Sequence, residues 1–210
     1  MKLISATPSP YARKIRIALA EKSLPFELQT EVPWNDDTSL PQHNPLEKLP
    51  VLLLDDGSTV WESSFILEWI ERKFPKPPLL PADDDGILAH KRMDALATGV
   101  CDAFLLVFFE RIRPEAHRSQ PWTDRQMRKV RGGIAEIARV IGDKPYAVRD
   151  AFGIADISAG SALGWLDVRF PELGWRTTHP NLARYMDGLM TRPSFQSTTP
   201  YPQSITSPVV

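Results

Sequence analysis

A hydroxyl-rich segment near the amino terminus carries residue types that could do chemistry. Residues 5–14 read SATPSPYARK and follow a short apolar run that is typical of a β-strand. Apolar residues then recur with helical spacing between residues 11 and 19, with basic side chains on the other face, which predicts an amphipathic helix. Ser9 takes the N-cap position, and Pro10 is the first helical residue. The Ser9 hydroxyl could cap the helix, or it could donate a hydrogen bond to an anion held at the helix N-terminus.

The elements that must position this segment form a compact α/β unit over residues 1–76. Its predicted order is β-α-β-loop-β-β-α, with strands at residues 1–4, 24–28, 49–54 and 59–61. The turn DDGS at residues 55–58 predicts a hairpin between the last two strands. The closing helix is predicted to be capped by Ser63 or Ser64 and to end before Pro75.

The second half of the sequence shows helical periodicity and no strand pattern. Residues 76–81 read KPPLLP and predict a linker, because proline cannot continue a helix. Helices are then predicted at residues 83–113, 123–141, 154–169 and 181–190. The sequence therefore predicts an all-helical domain over residues 83–196, followed by a Pro-, Ser- and Thr-rich tail at 197–210 without an independent fold.

Composition excludes several functional classes. The net charge is −1 and no long basic run occurs, which disfavours nucleic acid as a partner. No apolar stretch approaches the ~20 residues that cross a membrane. The single cysteine, Cys101, cannot form an intramolecular disulfide and is expected to be buried, so a reducing cytoplasm is the expected location. The four histidines show no metal-ligand spacing, and no metal is expected.

Four motifs together resemble the soluble glutathione transferases, in particular serine-type, bacterial-like members. These motifs are NPLEKLPVL at residues 44–52, WESSFI at 61–66, Ala155-Asp156 and Arg192-Pro193-Ser194. The resemblance covers residues 1–196 and implies a thioredoxin-like α/β N-terminal domain plus an all-α C-terminal domain. It also implies glutathione as co-substrate and a homodimer in which the N-terminal domain of one subunit packs on the helices of the other.

Besides Ser9, the resemblance assigns five residues to glutathione binding. Leu49 corresponds to the residue whose backbone pairs with the cysteinyl part of glutathione, and the bond to Pro50 is cis in the family. Glu62 corresponds to a partner of the γ-glutamyl ammonium group, and Ser63 to a partner of the carboxylate beside it. Lys48 could contact the glycyl carboxylate or the backbone of glutathione. Without the resemblance, these residues read as a strand start, solvated charges and a helix cap.

Ser9 resembles the catalytic position of serine- and cysteine-type members. A hydroxyl there forms no mixed disulfide, which argues against the thiol-transferase branch. Lowering a thiol pKa from ~8.5 to ~6.5 takes ~2.7 kcal/mol. A helix dipole supplies ~0.3–1 kcal/mol, and a hydrogen bond to a charged group adds ~1.5–3 kcal/mol. The dipole and Ser9 together therefore suffice, with Ser5 and Thr7 as alternative donors; Tyr11 is expected to pack instead.

The acceptor substrate is expected against the first helix of the second domain. Phe104, Phe108 and Arg111 share one face of that helix, and Trp165 could face them. The alternative for these aromatic residues is ordinary core packing. The implied function is a glutathione S-transferase that activates the thiolate for attack on a small electrophile. A non-catalytic glutathione-transferase-like binding or regulatory protein, and a glutathione-dependent isomerase or ether-cleaving enzyme, remain alternatives.

The sequence departs from the family pattern at Gly153, three residues before Asp156. Many members carry Ser or Thr there, which forms a capping box with the acidic residue. Glycine is tolerated at an N-cap at a cost of a few tenths of a kcal/mol. We therefore expect the start of this helix to be weakened but kept.

Overall fold

Four short strands and eight α-helices make up the computed structural model, which describes residues 1–209. The strands are β1 (Lys2–Ser5), β2 (Glu27–Thr30), β3 (Val51–Leu53) and β4 (Thr59–Trp61). The helices are α1 (Pro10–Glu21), α2 (Ser63–Lys73), α3 (Asp84–Ile112), α4 (Gln120–Ile141), α5 (Ile154–Arg169), α6 (Trp175–Thr178), α7 (Pro180–Leu189) and α8 (Pro193–Gln196). None of these helices is both long and apolar enough to cross a lipid bilayer. The predicted α/β unit followed by a helical part is confirmed.

The sheet is mixed, with strand order β2-β1-β3-β4. β1 runs parallel to β2 and antiparallel to β3, and β3 runs antiparallel to β4. The parallel pair requires a crossover connection, which α1 supplies. Because side chains alternate along a strand, Leu3 and Leu52 enter the main core, whereas Ile4 and Val51 form a smaller cluster with Leu40.

The basic face of α1 is buried against the helical part. Arg13 is 1% exposed, and its guanidinium donates to the carbonyl oxygens of Phe195 at 3.2 Å and Gly160 at 3.4 Å. Lys14 donates from Nζ to Asp94 Oδ1 of α3 at 2.8 Å. The periodicity of α1 alone would place these cations in solvent. Tertiary packing overrides that pattern, because α3, α5 and α8 cover this face and supply acceptors.

The start of α5 explains the glycine at its N-cap. Asp156 accepts hydrogen bonds from the N–H of Gly153 at 2.9 Å, the N–H of Ala147 at 2.7 Å and the Tyr185 hydroxyl at 2.7 Å. The acidic half of the capping box is therefore kept. A Cβ at residue 153 would lie 2.4 Å from the carbonyl oxygen of Leu79. Glycine is required here by the close approach of the linker backbone.

The second strand lies later in the chain than the sequence predicts. The apolar residues at 24–28 favoured a strand, but the ladder with β1 runs over Glu27–Thr30. Pro25 has no N–H to donate to a ladder. Leu24 and Phe26 instead pack, partly buried, against the main core. Their apolar character reflects packing of the loop and not strand pairing.

The fourth α-helix begins at Gln120, earlier than the start predicted at residue 123. Its N-cap is Ser119, whose Oγ accepts from the N–H of Trp122 at 3.4 Å. The Thr123 hydroxyl donates to the Ser119 carbonyl oxygen at 3.1 Å, inside the first turn. Two hydroxyl residues four positions apart offered two possible caps, and the earlier one is used.

The tail lies against the α/β part. Residues 198–209 form neither helix nor strand. The carbonyl oxygen of Tyr201 accepts from the Thr7 hydroxyl at 3.0 Å, and Gln203 Oε1 accepts from the Thr7 N–H at 3.0 Å. Further along, the N–H of Thr206 donates to Asn35 Oδ1 at 2.8 Å. The tail therefore reaches the loop before α1, where Ser9 lies.

Candidate functional site

A cavity of about 370 Å³ opens between the α/β part and the helical part. It is lined by residues 8–11, 32–34, 46–50 and 61–63 of the α/β part, by Thr98, Asp102, Leu105 and Phe108 of α3, by Trp165 and Arg169 of α5, and by Gln203 and Ile205 of the tail. Its walls are mostly apolar with a few polar groups, which is typical of a small-molecule site. Within residues 1–209, no group of three or more His, Cys, Asp or Glu side chains is arranged to hold a metal ion.

Ser9 caps α1 and also faces this cavity. Its Oγ accepts from the N–H of Ala12 at 3.2 Å. The cap uses the oxygen as an acceptor, and no described residue accepts the hydroxyl proton, so Ser9 can still donate to a ligand. Capping and donation are therefore compatible. Ser5 and Thr7 do not line the cavity, and the Thr7 hydroxyl already donates to Tyr201.

The segment before β3 presents free backbone to the cavity. The Leu49–Pro50 bond is cis, as the resemblance implied. Asn44 is buried and fixes the preceding loop, donating from Nδ2 to the Lys48 carbonyl oxygen at 2.7 Å and accepting from the Leu46 N–H at 2.9 Å. The Leu49 backbone makes no hydrogen bond to another described residue. Lys48 is exposed at the rim.

Glu62, and not Ser63 or Ser64, is the N-cap of α2. Its carboxylate accepts from the N–H groups of Ser64 at 3.1 Å and Phe65 at 2.9 Å. A carboxylate has about four lone-pair sites, so it can accept from an ammonium group as well. Glu62 has φ of 72°, an uncommon conformation outside glycine that costs about 1–3 kcal/mol and recurs at ligand sites. Ser63 begins α2 and lines the cavity, although only 2% of its surface is exposed.

The four residues predicted for the acceptor pocket separate into two pairs. Phe108 and Trp165 line the cavity. Phe104 does not: it is 1% exposed and packs edge-on against Trp165, with ring centroids 4.8 Å apart. Arg111 also lies outside the cavity and pairs with Glu172 at 2.7 Å. The prediction for Phe104 and Arg111 is corrected. Phe104 is buried in the core, and Arg111 lies at the protein surface.

Tyr11 reaches the cavity, where only packing was expected. Its hydroxyl donates to Asp102 Oδ1 of α3 at 2.6 Å, and both residues line the cavity. Burial, together with the carboxylate of Asp102, raises the pKa of the Tyr11 phenol. Asp102 was not predicted. It is a polar residue that shares a helical face with Leu105 and Phe108, and this interruption of an apolar helix was an available signal.

Four further cavity residues had weak or no signals in the sequence. Arg169 ends α5, where a basic residue is expected to complement the helix dipole. Gln203 and Ile205 belong to the tail, whose composition indicates no packing. Trp34 lies in a polar loop and packs edge-on against Phe109 of α3, with centroids 4.3 Å apart. Each is placed by a tertiary contact and not by local pattern.

The comparisons with known proteins agree with this geometry. The family model described as glutathione S-transferase, N-terminal domain matches residues 8–73, and the model for the C-terminal domain matches residues 120–188. The chain is also 34% identical over 200 residues to the GST-like protein YibF of Escherichia coli K12, covering 95% of this chain and 98% of that protein. The chain belongs to the glutathione S-transferase family. The resemblance found in the motifs is confirmed.

Two solved glutathione S-transferases are similar over 95% or more of the chain. One, from Methylobacterium radiotolerans in complex with glutathione sulfonate, is 63% identical and covers 100% of this chain and 99% of its own, with a TM-score of 0.98. Another, from Methylobacillus flagellatus with glutathione bound, is 36% identical and covers 95% and 98%, with a TM-score of 0.91. The fold of this chain is that of the glutathione S-transferases.

Proposed function

We propose that this chain is a glutathione S-transferase that ionises the thiol of glutathione and directs it at a small electrophile. One observation carries the proposal. A single cavity is lined by Ser9 at the start of α1, by the Leu49–Pro50 backbone and by Glu62 and Ser63 at the start of α2. The binding of glutathione and its sulfonate by similar transferases supports glutathione as the ligand.

Each part of glutathione has a chemically suitable partner in the cavity. The unpaired N–H and C=O of Leu49 suit the cysteinyl backbone. The hydroxyl and the free N–H of Ser63 suit the γ-glutamyl carboxylate, and the dipole of α2 favours an anion there, whereas the N–H groups of Ser64 and Phe65 already donate to Glu62. The remaining lone pairs of Glu62 suit the ammonium group. Lys48 at the rim suits the glycyl carboxylate by charge.

The chemistry then requires a thiolate near Ser9. The thiol proton leaves to solvent, the Ser9 hydroxyl donates to the resulting sulfur anion, and the dipole of α1 adds to the stabilisation. The sulfur forms a bond to an electrophilic carbon of the acceptor, and the electron pair of the broken bond departs with the leaving group. Phe108 and Trp165 provide an apolar wall for the acceptor.

The family resemblance supports two further parts of the proposal. We expect a homodimer, and we expect the protein to act in the cytoplasm, where a role in detoxification of electrophiles fits the reaction. Phe65 on α2 and Leu88 on α3 are 57% and 62% exposed, and burial of these side chains in a dimer interface would remove their apolar surface from water.

Calorimetry with glutathione tests the binding site. We expect wild type to bind and Ser63→Ala to bind about tenfold more weakly, because the variant removes a hydrogen bond to a charged group. Ser58→Ala is the matched control, since Ser58 bonds Asp56 in the β3–β4 turn and does not line the cavity. Equal affinity in wild type and Ser63→Ala, or no binding by either, would contradict the assignment.

Turnover of an activated aryl chloride separates the proposal from its alternatives. A non-catalytic binding protein would bind glutathione yet leave the rate of conjugation at the level of the uncatalysed reaction. A glutathione-dependent isomerase or ether-cleaving enzyme would use the same thiolate and differ in its acceptor. Formation of the S-aryl conjugate at a rate that depends on Ser9 would favour the transferase.

A further inference from the structure

Arg169 is an unpaired cation in the wall of the cavity. It is the last residue of α5, and its guanidinium carbon lies 5.0 Å from the centroid of the Phe108 ring. Within residues 1–209, no carboxylate forms an ion pair with Arg169, and its side chain donates no hydrogen bond. Arg111 makes a similar stacking contact with Phe170 at 3.7 Å, but it pairs with Glu172 outside the cavity.

The surroundings of Arg169 make an unpaired charge unfavourable. Its guanidinium lies over the Phe108 ring, and Leu105 and Trp165 line the same cavity. Burial lowers the pKa of the Arg169 guanidinium, with no neighbouring carboxylate to offset the effect, yet a guanidinium remains protonated at neutral pH. Partial burial of a charge without a partner is unfavourable, and an anionic ligand would relieve it.

The position of Arg169 points to the acceptor and not to glutathione. Arg169 comes from the helical part, with Phe108 and Trp165, whereas Leu49, Glu62 and the other residues proposed for glutathione come from the α/β part. The acidic cavity residue of α3, Asp102, already accepts from the Tyr11 hydroxyl.

We propose that Arg169 binds a carboxylate on the acceptor substrate, so that the preferred electrophile combines an apolar, preferably aromatic, body with an anionic group. The planar guanidinium can donate two parallel hydrogen bonds to a carboxylate. The aromatic body packs on Phe108 and Trp165 while the reacting carbon faces the glutathione sulfur. This inference deepens the proposed function and rests on it.

A pair of conjugates tests the inference. S-benzylglutathione and S-(4-carboxybenzyl)glutathione differ by one carboxylate at the acceptor end. By calorimetry at low salt, we expect wild type to bind the carboxylate conjugate about tenfold more tightly than S-benzylglutathione. A charge-assisted hydrogen bond that is partly screened by solvent contributes about this much. We expect Arg169→Met to lose this preference and to bind glutathione itself as wild type does.

Two more variants make the comparison specific. Arg169→Lys keeps the positive charge but loses the paired planar donors of the guanidinium, and it is expected to keep part of the preference for the carboxylate conjugate. This variant also serves if Arg169→Met does not fold. Arg111→Met removes an arginine that stacks on a phenylalanine outside the cavity, and it is expected to keep the full preference.

The possible contrary results are distinguishable. If glutathione binds to wild type but the two conjugates bind equally, or if Arg169→Met keeps the preference, the inference is overturned and the proposed function stands. If Arg169→Met weakens the binding of glutathione as much as the binding of the carboxylate conjugate, Arg169 contacts glutathione and the inference is also overturned. If glutathione itself does not bind to wild type, the proposed function and the inference fail together.

Discussion

Replacing Ser9 by alanine should change the acidity of bound glutathione. The Ser9 oxygen accepts from Ala12, and its hydroxyl proton has no acceptor among the described residues. The variant therefore removes two things at once, a helix cap and a donor that faces the cavity. Only the second can act on a thiolate, so the two losses have separate signatures.

The size of each effect follows from the geometry. A hydrogen bond from Ser9 to a thiolate is worth about 1.5–3 kcal/mol, which corresponds to a rise of about one to two units in the thiol pKa when it is lost. The dipole of α1 is kept in the variant. Because the raised pKa leaves less thiolate, turnover at pH 7 should fall about 3- to 25-fold if the starting pKa is ~6.5, and it should recover as the pH rises through the new pKa.

The ultraviolet absorbance of the thiolate, titrated with pH in the glutathione complex, measures the effect directly. Ser119→Ala is the matched control, because Ser119 caps α4 in the same way and does not line the cavity. Both variants should lose about 1 kcal/mol of stability, and only Ser9→Ala should shift the titration midpoint. An unchanged midpoint would reduce Ser9 to a helix cap and refute its catalytic role.

Three other predictions concern stability, the tail and assembly. Gly153→Ala should destabilise the fold by about 1–3 kcal/mol in urea unfolding, because its Cβ would lie 2.4 Å from the Leu79 carbonyl oxygen. Gly132→Ala in α4, where a Cβ would meet nothing within 4 Å, should instead be neutral or stabilising; similar losses in both would contradict the argument. Deleting residues 200–210 removes Gln203 and Ile205 from the cavity wall and should lower the affinity for S-benzylglutathione severalfold in calorimetry. An unchanged affinity would contradict this prediction. Light scattering should give twice the mass of the chain, and a monomer mass throughout the micromolar range would contradict the expected homodimer.

The sequence predicted those features that local chemistry determines. Asp83 caps α3 by accepting from the N–H of Gly86 at 2.9 Å, and acidic residues follow in its first turn, so the start of this helix was readable. Ser9 with Pro10 marked α1 in the same way. The motifs at residues 44–52 and 61–66 indicated the family, and residues 46–50 and 61–63 within them line one cavity.

What the sequence missed depends on contacts between distant segments. Helical spacing placed Phe104 and Phe108 on one face, but only packing against α5 decides which of them is in the core and which is at the cavity. The tail docks through Thr7, and a polar, proline-rich segment carries no local signal for that contact. The sequence assigned Glu62 to ligand binding but did not predict that it caps α2, because its positive φ cannot be inferred from residue type.

The helix that begins at Ser9 also joins the two halves of the molecule. Within its next turn and a half, Arg13 is buried among carbonyl oxygens of α5 and α8, and Lys14 pairs with Asp94 of α3. Burial lowers the pKa of Arg13 to about 10, so it stays charged at neutral pH and depends on those acceptors. A chimera that joins this α/β part to the helical part of another transferase would leave Lys14 without a carboxylate unless Asp94 were kept, and it would have to preserve the backbone around Gly160 and Phe195 that accepts from Arg13. New acceptor specificity is therefore better grafted at single positions of the cavity wall than by exchange of whole halves.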